Sequence, residues 1–562
     1  MAPPSACAIC SGPLDLLHAG RARDGAADGF APTCHAPGAH ADLFRCHECG
    51  TVQQPSLPAG GDLHELYRRM ADGAYLDEEE GRRRTARRLL DLLGDHVPAG
   101  RLLEVGCGHG LLLDEARRRG YAPRGLELSA SAAAYARDVL GLEVDDVGLE
   151  DPGLGADGWD AVILADVLEH LDDPRGALAR CAELLAPDGA LLVVTPDPAS
   201  LTARLAGRRW WGLLPAHTFL LPRRTLRELV AATGLVLAAD VPLVRTFSLR
   251  YWGQGLAERG PRALGRLARR LPAGLRLSLS LGDERVLLAR RTEVLAPARP
   301  LVTDRGGPAK VHVVLPAYRA ELTIPAVAQA LPVAAADRAL LVDDASPDET
   351  SAVALRHGFE VLRHPVNRGY GGNQKTSYVR AARDGADVIV MVHADNQYDP
   401  ALAARIVRPI VDGEADVVIG SRLLEDEAIA GGMPRWKWVG NRFLTWVENR
   451  AFRRDYSEYH TGYRAYSVAF LETIPFLRNS DGFVFDQEIF AQIVDRDARV
   501  VELAIPTRYF LEASSVSFWR SVDYGLRTLA VLARFRLDER RGSWALLRRP
   551  AAPLRDRARA RA

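Results

Sequence analysis

Two runs of alternating apolar strand and helix, separated by a stretch rich in proline, glycine and charge, constrain this chain more than any single residue does. Strand patterns are readable at Arg101–Val105, Tyr121–Leu126, Leu142–Val147, Trp159–Ala165 and Ala190–Thr195, with helical stretches between them. Around Ala296 to Pro308 the pattern dissolves, and a second alternation begins at Lys310 and continues to about Ile505. Strand then helix, repeated, is the signature of a doubly wound parallel sheet. The expected fold class is therefore α/β, with two doubly wound domains. At 562 residues the chain is also too long for one ordinary domain. The boundaries expected are a head over 1–58, a first domain over 59–295, a linker over 296–308, a second domain over 309–545 and a disordered basic tail over 546–562.

The bulk chemistry removes several function classes. Formal net charge is zero, so nothing argues for nucleic acid as a partner. No apolar run is long enough to cross a bilayer, and no basic segment followed by an apolar one opens the chain. The expected location is cytoplasmic. An apolar-rich helix between Arg520 and Leu537 reads as a packing helix or as a peripheral contact with the inner face of the membrane.

Five of the seven cysteines fall in the first fifty residues. Cys7/Cys10 and Cys46/Cys49 form two CxxC turns, and each such turn presents two thiolates at the separation a tetrahedral zinc ion needs. The intervening insertion carries Cys34 and His35, either of which could replace one ligand. Four protein ligands leave no open position, so the zinc site is expected to be structural.

The first alternation carries a loaded turn. Glu104 ends a strand and leads into Gly106, Gly108 and Gly110, a turn where backbone can approach a ligand closely. Glu127 ends the next strand, where it can grip two ribose hydroxyls, and Asp166 to Leu171 closes the fourth. Together these residues resemble the class I S-adenosylmethionine-dependent methyltransferases, over roughly residues 60 to 295. The cysteine-rich head strengthens the likeness, since a subset of sugar and natural-product methyltransferases carries a similar zinc-binding head. The resemblance implies that Glu104, Gly106, Gly108, Gly110 and Glu127 bind S-adenosylmethionine, with Asp146 to Glu150 flanking the adenine. A hydroxyl acceptor needs a general base, for which His170 and His217 are the candidates. Trp210 and Trp211 read as core packing or as a platform for a sugar face.

The second alternation carries four blocks in order. Its first strand ends in Pro316-Ala317-Tyr318 and its second in Asp343-Asp344, followed by Ser346 and Asp348. Asn367 to Lys375 forms a glycine-containing loop, and His393-Ala394-Asp395-Asn396-Gln397 follows a later strand. This order resembles glycosyltransferase family 2, over roughly residues 309 to 512, and within it the dolichyl- or polyprenyl-phosphate sugar synthases. The resemblance implies a GT-A fold and a nucleotide-diphosphate sugar held by Pro316, Tyr318, Asp343, Asp344 and Lys375. A sugar leaving a nucleoside diphosphate needs its charge neutralised, which calls for Mg2+ or Mn2+. Asp395 and Gln397 are the expected metal ligands, and His393 departs from the family's usual first aspartate. Arg422, Arg464 and Lys375 are available to clamp a lipid phosphate. If the acceptor is a sugar hydroxyl instead, Asp486 is the candidate base and Glu488 the second.

The function expected is bifunctional: methyl transfer to a sugar or glycan-linked small molecule, and glycosyl transfer to a polyprenyl phosphate or glycan acceptor. The alternative is an active glycosyltransferase whose methyltransferase-like half is a non-catalytic scaffold.

Overall fold

A computed structural model of the chain describes residues 6–20, 40–54, 67–68, 75–155, 158–259, 274–302, 306–425, 433–506, 518–542 and 544–555. It separates into two compact units, Met1–Arg291 and Thr292–Ala562. The insertion with Cys34 and His35 lies outside the described residues.

The first unit opens with a small sheet of Leu14–His18 (β1), Leu43–Cys46 (β2) and Val52–Gln53 (β3). Its main sheet is built from Gly100–Val105 (β4), Tyr121–Leu126 (β5), Glu143–Asp145 (β6), Trp159–Ala165 (β7) and Leu185–Pro196 (β8). Phe219–Leu220 (β9) joins β3, so the head sheet takes its fourth strand from the body of the unit. Val236–Pro242 (β10) and Glu284–Arg290 (β13) complete the main sheet, while Arg245–Ser248 (β11) and Arg276–Leu279 (β12) pair as a two-stranded sheet of their own. The seven-stranded order is β10-β13-β8-β7-β4-β5-β6. Strands β4 to β8 run parallel, while β13 is antiparallel to both of its neighbours. Chain order reverses between β4 and β7, and such a switch point leaves a crevice at the carboxyl ends of the strands.

A helix over Glu79–Gly94 (α1) covers one face. Its Leu89, Leu90 and Leu93 recur at helical spacing and pack with Leu102, Ile163, Leu192 and Leu288 of the sheet. A second helix, Leu111–Arg118 (α2), starts directly after the glycine turn.

The second unit is an eight-stranded sheet. In chain order its strands are Val294–Leu295 (β14), Val311–Ala317 (β15), Arg338–Asp343 (β16), Glu360–Arg363 (β17), Val388–Met391 (β18), Val417–Ser421 (β19), Arg464–Ser467 (β20) and Val500–Ala504 (β21). Spatially the order is β14-β17-β16-β15-β18-β20-β19-β21, and β15 to β18 are parallel. The switch point here lies between β15 and β18. Along β15, Val313 and Leu315 belong to one core and Val314 to the other, as the two-residue period of a strand covered on both faces requires. Helices over Tyr370–Arg383 (α3), Arg435–Phe452 (α4), Phe485–Asp495 (α5) and Phe518–Arg541 (α6) belong to this unit.

Two boundary expectations differ from the structure. Part of the expected linker belongs to the second unit: the Leu301 amide bonds the Gly358 carbonyl and Val302 is buried in the core, while β14 just before it pairs with β17. The expected disordered tail is folded as far as Arg555, because Leu546, Ala551 and Leu554 are buried and Arg555 bonds the Ala386 carbonyl. Arginine-rich composition hid that apolar anchoring. Among the described residues no helix is long and apolar enough to cross a membrane.

Candidate active sites

At the first switch point, Val105 pairs with Leu126 on one side and with Leu164 on the other, which sets the tips of β4, β5 and β7 side by side. Gly106, Gly108 and Gly110 all have positive φ (66°, 53° and 77°). A Cβ at Gly106 would stand 2.5 Å from the Val167 side chain, and one at Gly110 2.7 Å from Leu142. At Gly108 the nearest atom would be the Tyr75 hydroxyl at 3.9 Å, so this face of the turn is open to a ligand. Glu127 accepts from the Gly108 amide at 2.6 Å and from the Ser129 amide at 2.7 Å. Each carboxylate oxygen keeps a second lone pair for a further donor. Glu104 is buried, and its Oε2 has no hydrogen-bond partner. Burial, then the charge of Glu127, pushes its carboxyl well above the usual range.

These groups line a cavity of about 740 Å3 that also takes in Asp166, His170, His217 and Arg245. Arg245 forks between Asp166 (2.7 and 2.8 Å) and Glu284 (2.8 and 2.9 Å). His170 and His217, separate candidates in sequence, meet edge to face with ring centroids 4.8 Å apart. Nδ1 of His170 lies 3.0 Å from the Ala216 carbonyl and Nδ1 of His217 lies 2.7 Å from the Gly212 carbonyl. A carbonyl only accepts, so Nδ1 of His217 carries the proton and its Nε2 is the basic nitrogen, while Nδ1 of His170 lies 2.8 Å from the Tyr67 hydroxyl as well, a group that donates or accepts. Burial lowers both, His170 to about 4 and His217 to about 3, so both rings are neutral at pH 7. Trp210 and Trp211 both donate their indole N–H to Asp283, at 2.8 and 2.7 Å. Trp210 is buried, while Trp211 reaches the cavity wall.

The head closes on the same loop. Gln54, just past β3, donates from Nε2 to the carbonyls of Leu214 and His217, each at 2.7 Å. Thr218 donates to the carbonyls of Glu169 and Leu171, each at 3.0 Å. The four sulfur atoms of Cys7, Cys10, Cys46 and Cys49 converge within 4.8 Å of one another. The closest pairs are Cys10–Cys46 at 3.4 Å and Cys7–Cys49 at 3.7 Å. Zn–S bonds of about 2.3 Å imply a tetrahedral edge of about 3.8 Å, so this donor set fits zinc in size and chemistry.

At the second switch point, Ala317 stands opposite Asp343. Tyr318 beside it is half exposed, and the Arg319 guanidinium sits over its ring at 5.4 Å. Asp343 is wholly buried, and its carboxylate holds the turn by accepting from the Ser346 amide at 2.9 Å and the Ser351 hydroxyl at 2.5 Å. Asp344 accepts from the amides of Arg368 (2.7 Å) and Gly369 (2.8 Å) and from His364 (2.7 Å), and so sets the glycine loop. Asp395 accepts from the Gln397 amide at 3.1 Å. His393 presses its ring against Gly462, where a Cβ would stand 2.0 Å from Nε2.

A family model described as a methyltransferase domain matches residues 78–239, and one described as glycosyl transferase family 2 matches residues 312–474. The chain is 31% identical over 183 residues to a ubiquinone biosynthesis O-methyltransferase of Xanthomonas oryzae, covering 29% of this chain and 74% of that one. The chain joins a methyltransferase domain to a family 2 glycosyltransferase domain. The glycosyltransferase domain is 27% identical over 181 residues to a UDP-N-acetylglucosamine–dolichyl-phosphate N-acetylglucosaminyltransferase of Methanococcus voltae, covering 29% of this chain and 72% of that one. With a Xanthomonas campestris ubiquinone biosynthesis O-methyltransferase, 33% identical over 135 residues, the match spans 22% of this chain and about half, 55%, of the relative. Among solved structures, glucosyl-3-phosphoglycerate synthase of Mycobacterium tuberculosis with uridine diphosphate aligns at 20% identity and a TM-score of 0.33, over 41% of this chain and 80% of that one.

In the glycosyltransferase domain every cation expected to clamp phosphate is already engaged inside the protein. Lys375 bonds the Asn479 carbonyl and Asp481, the latter at 2.8 Å. Arg422 forks onto buried Glu458 and the His460 carbonyl. Arg464 is fully buried, 3.0 Å from Asp486 and 3.0 Å from the Tyr459 carbonyl. Asp486 also accepts from Tyr370 at 3.1 Å and Gln374 at 3.3 Å, while Glu488 accepts from the Ser480 amide at 2.5 Å. The residues that sequence reading missed are these partners, together with Arg245, Glu284 and Gln54. Apart from Tyr370 and Gln374, which belong to the block over residues 367–375, none lies in a motif, and Asp481, Arg245 and Gln54 meet their partners across 79 to 163 residues.

Proposed function

We propose that the chain is a bifunctional transferase. Its methyltransferase domain uses S-adenosylmethionine to methylate a sugar or glycan-linked small molecule. Its glycosyltransferase domain passes a sugar from a nucleotide diphosphate to a polyprenyl phosphate or glycan acceptor. It works at the cytoplasmic side, peripheral to the membrane.

The observation that carries the first half is the orphaned Oε2 of buried Glu104 in the cavity that Gly108 also lines. An unpartnered buried carboxyl oxygen is the acceptor an ammonium group satisfies, and Glu127 keeps lone pairs for a ribose diol. S-adenosylmethionine supplies a sulfonium methyl open to direct displacement. The chain's own part is to orient and to take a proton, for which the neutral rings of His170 and His217 in the cavity wall are the bases. In the glycosyltransferase domain Asp395 and Gln397 supply oxygen ligands to Mg2+ or Mn2+. One carboxylate suits an ion that arrives with substrate phosphates and retains water. The cysteine quartet holds a structural zinc.

Titration of the full chain with S-adenosylmethionine, together with nucleotide-sugar hydrolysis in magnesium and in manganese, tests both halves. Wild type should bind the methyl donor and hydrolyse one nucleotide sugar, and Asp395→Ala should lose the metal-dependent rate. Absent heat on titration would make the methyltransferase domain a scaffold, and full activity in Asp395→Ala would refute the metal site.

A further inference from the structure

Helix α4 carries an outward stripe of Trp436, Val439, Phe443 and Trp446, spaced three and four residues apart on one face. Helix α6 carries a second stripe of Val522, Leu526, Leu529 and Leu537. All eight side chains lie between 37% (Leu529) and 63% (Leu526) exposed. The two helices pack together, with Thr445, Glu448 and Phe452 buried on the opposite face of α4 and Thr528, Val531, Leu532 and Phe535 on that of α6, and the Phe452 and Phe535 rings stand 5.0 Å apart. The exposed stripes are therefore not needed to hold the pair together.

The charge around the stripe points to what meets it. The cations of α4 are Arg435, Lys437, Arg442 and Arg450, and its one acidic residue, Glu448, is wholly buried; on α6 the exposed Asp523 is paired with Arg527 at 2.8 Å. Lys437 sits 5.6 Å over Trp436, Arg442 5.1 Å over Trp438 and Arg450 5.7 Å over Trp446. Tryptophan, phenylalanine and leucine bordered by cations is the pattern that lies in the headgroup layer of an anionic bilayer, with the rings at acyl depth and the cations among the phosphates. Eighteen residues of α4 give a strip about 27 Å long.

The inner side of the same helices reaches the candidate acceptor site. Glu448 of α4 lies 3.1 Å from His460, and Tyr524 of α6 bonds His460 at 3.1 Å and Gln487 at 2.7 Å. Gln487 adjoins Asp486 on α5. We propose that α4 and α6 form a docking surface for a lipid bilayer rich in anionic headgroups, which sets the acceptor site of the glycosyltransferase domain at the membrane face. This accompanies the polyprenyl-phosphate reading of the acceptor but is measured without any acceptor present, so failure of lipid binding and failure of sugar transfer are separate results.

The test is sedimentation of the full chain with vesicles of phosphatidylcholine alone and of phosphatidylcholine with phosphatidylglycerol. The chain should pellet with the anionic vesicles, and its tryptophan emission should shift to shorter wavelength. Phe443→Ser/Trp446→Ser should weaken that binding by at least about tenfold while leaving nucleotide-sugar hydrolysis in vesicle-free buffer unchanged. Arg442→Ser/Arg450→Ser should weaken it about fivefold per arginine on anionic vesicles only. Unchanged affinity in the aromatic variant, or no pelleting of wild type, overturns the proposal. So does a wild-type dimer that this variant splits into monomers, because the face is then a protein interface.

Discussion

Replacing Asp486 by asparagine should cost the second unit stability before it costs chemistry, and the size follows from where the charge is left. Arg464 has no solvent exposure, and its guanidinium faces the Asp486 carboxylate at 3.0 Å. Asp486→Asn keeps the volume and one acceptor for Tyr370 but removes the counter-charge. Breaking a buried pair on one side costs about 3–5 kcal/mol, because the remaining ion is buried and uncompensated. The Tyr459 carbonyl and the Phe490 ring, 4.7 Å from the guanidinium, still hold Arg464, which argues for the lower end. For a unit of this size about 3 kcal/mol corresponds to a fall of roughly 6–12 °C in melting temperature. Calorimetry of the full chain should show one transition move by that amount and the other stay. Arg464→Gln/Asp486→Asn should recover most of the loss, since neither charge is then buried. A single variant that melts within about 1 °C of wild type, or a double variant no better than the single, would refute the pairing argument.

Three further outcomes follow from the methyltransferase domain. Glu127→Ala removes the acceptor offered to a ribose diol, and losing two charge-assisted hydrogen bonds at about 1.5 kcal/mol each should weaken S-adenosylmethionine about a hundredfold by calorimetric titration; affinity within a factor of about two of wild type counts against that role. Metal analysis should find about one zinc per chain, lost in Cys46→Ser with a lower melting transition for the first unit, and an equally stable zinc-free chain would contradict a structural site. Burial lowers His170 to about 4 and His217 to about 3 from 6.5, so between those values the unfolded chain binds more protons than the folded one. The histidine pair's contribution to the stability of the first unit should therefore fall as pH drops from 6.5 towards 4, by on the order of 3 kcal/mol through His170 alone. The raised carboxyls of Glu104, Glu169 and Glu284 trend the opposite way, so the difference between wild type and a variant without the two rings isolates that contribution. Denaturant titration across that window checks it, and His170→Asn/His217→Asn should flatten the decline.

What was legible in the sequence was local. Parallel strands covered on both faces read as short apolar runs, so β4, β5 and β7 are visible within a residue of their ends. The glycine turn is legible for the same reason, since each positive-φ position sits in one short segment after a strand. Partnership across the chain was not legible. Lys375 and Arg422 look like available cations until Asp481, 106 residues away, and Glu458, 36 away, are seen to neutralise them. Arg245 meets Asp166 across 79 residues and Glu284 across 39, with no pattern linking the three. Asp343 shows the same limit: a strand-tip aspartate suggests ligand contact, and nothing in the motif reveals that its buried carboxylate also holds the turn through Ser346 and Ser351.

The clasp of Gln54 on the Leu214 and His217 carbonyls bears on how small a working methyltransferase can be cut from this protein. The family match begins at residue 78, which invites an expression fragment starting there. Such a fragment would keep the cofactor turn yet leave two inward-facing carbonyls without their donor and strand β9 without its neighbour β3. The segment that carries His217 would lose that anchor, and a less stable first unit would be the outcome. A fragment that keeps this clasp and the cysteine quartet begins ahead of Cys7.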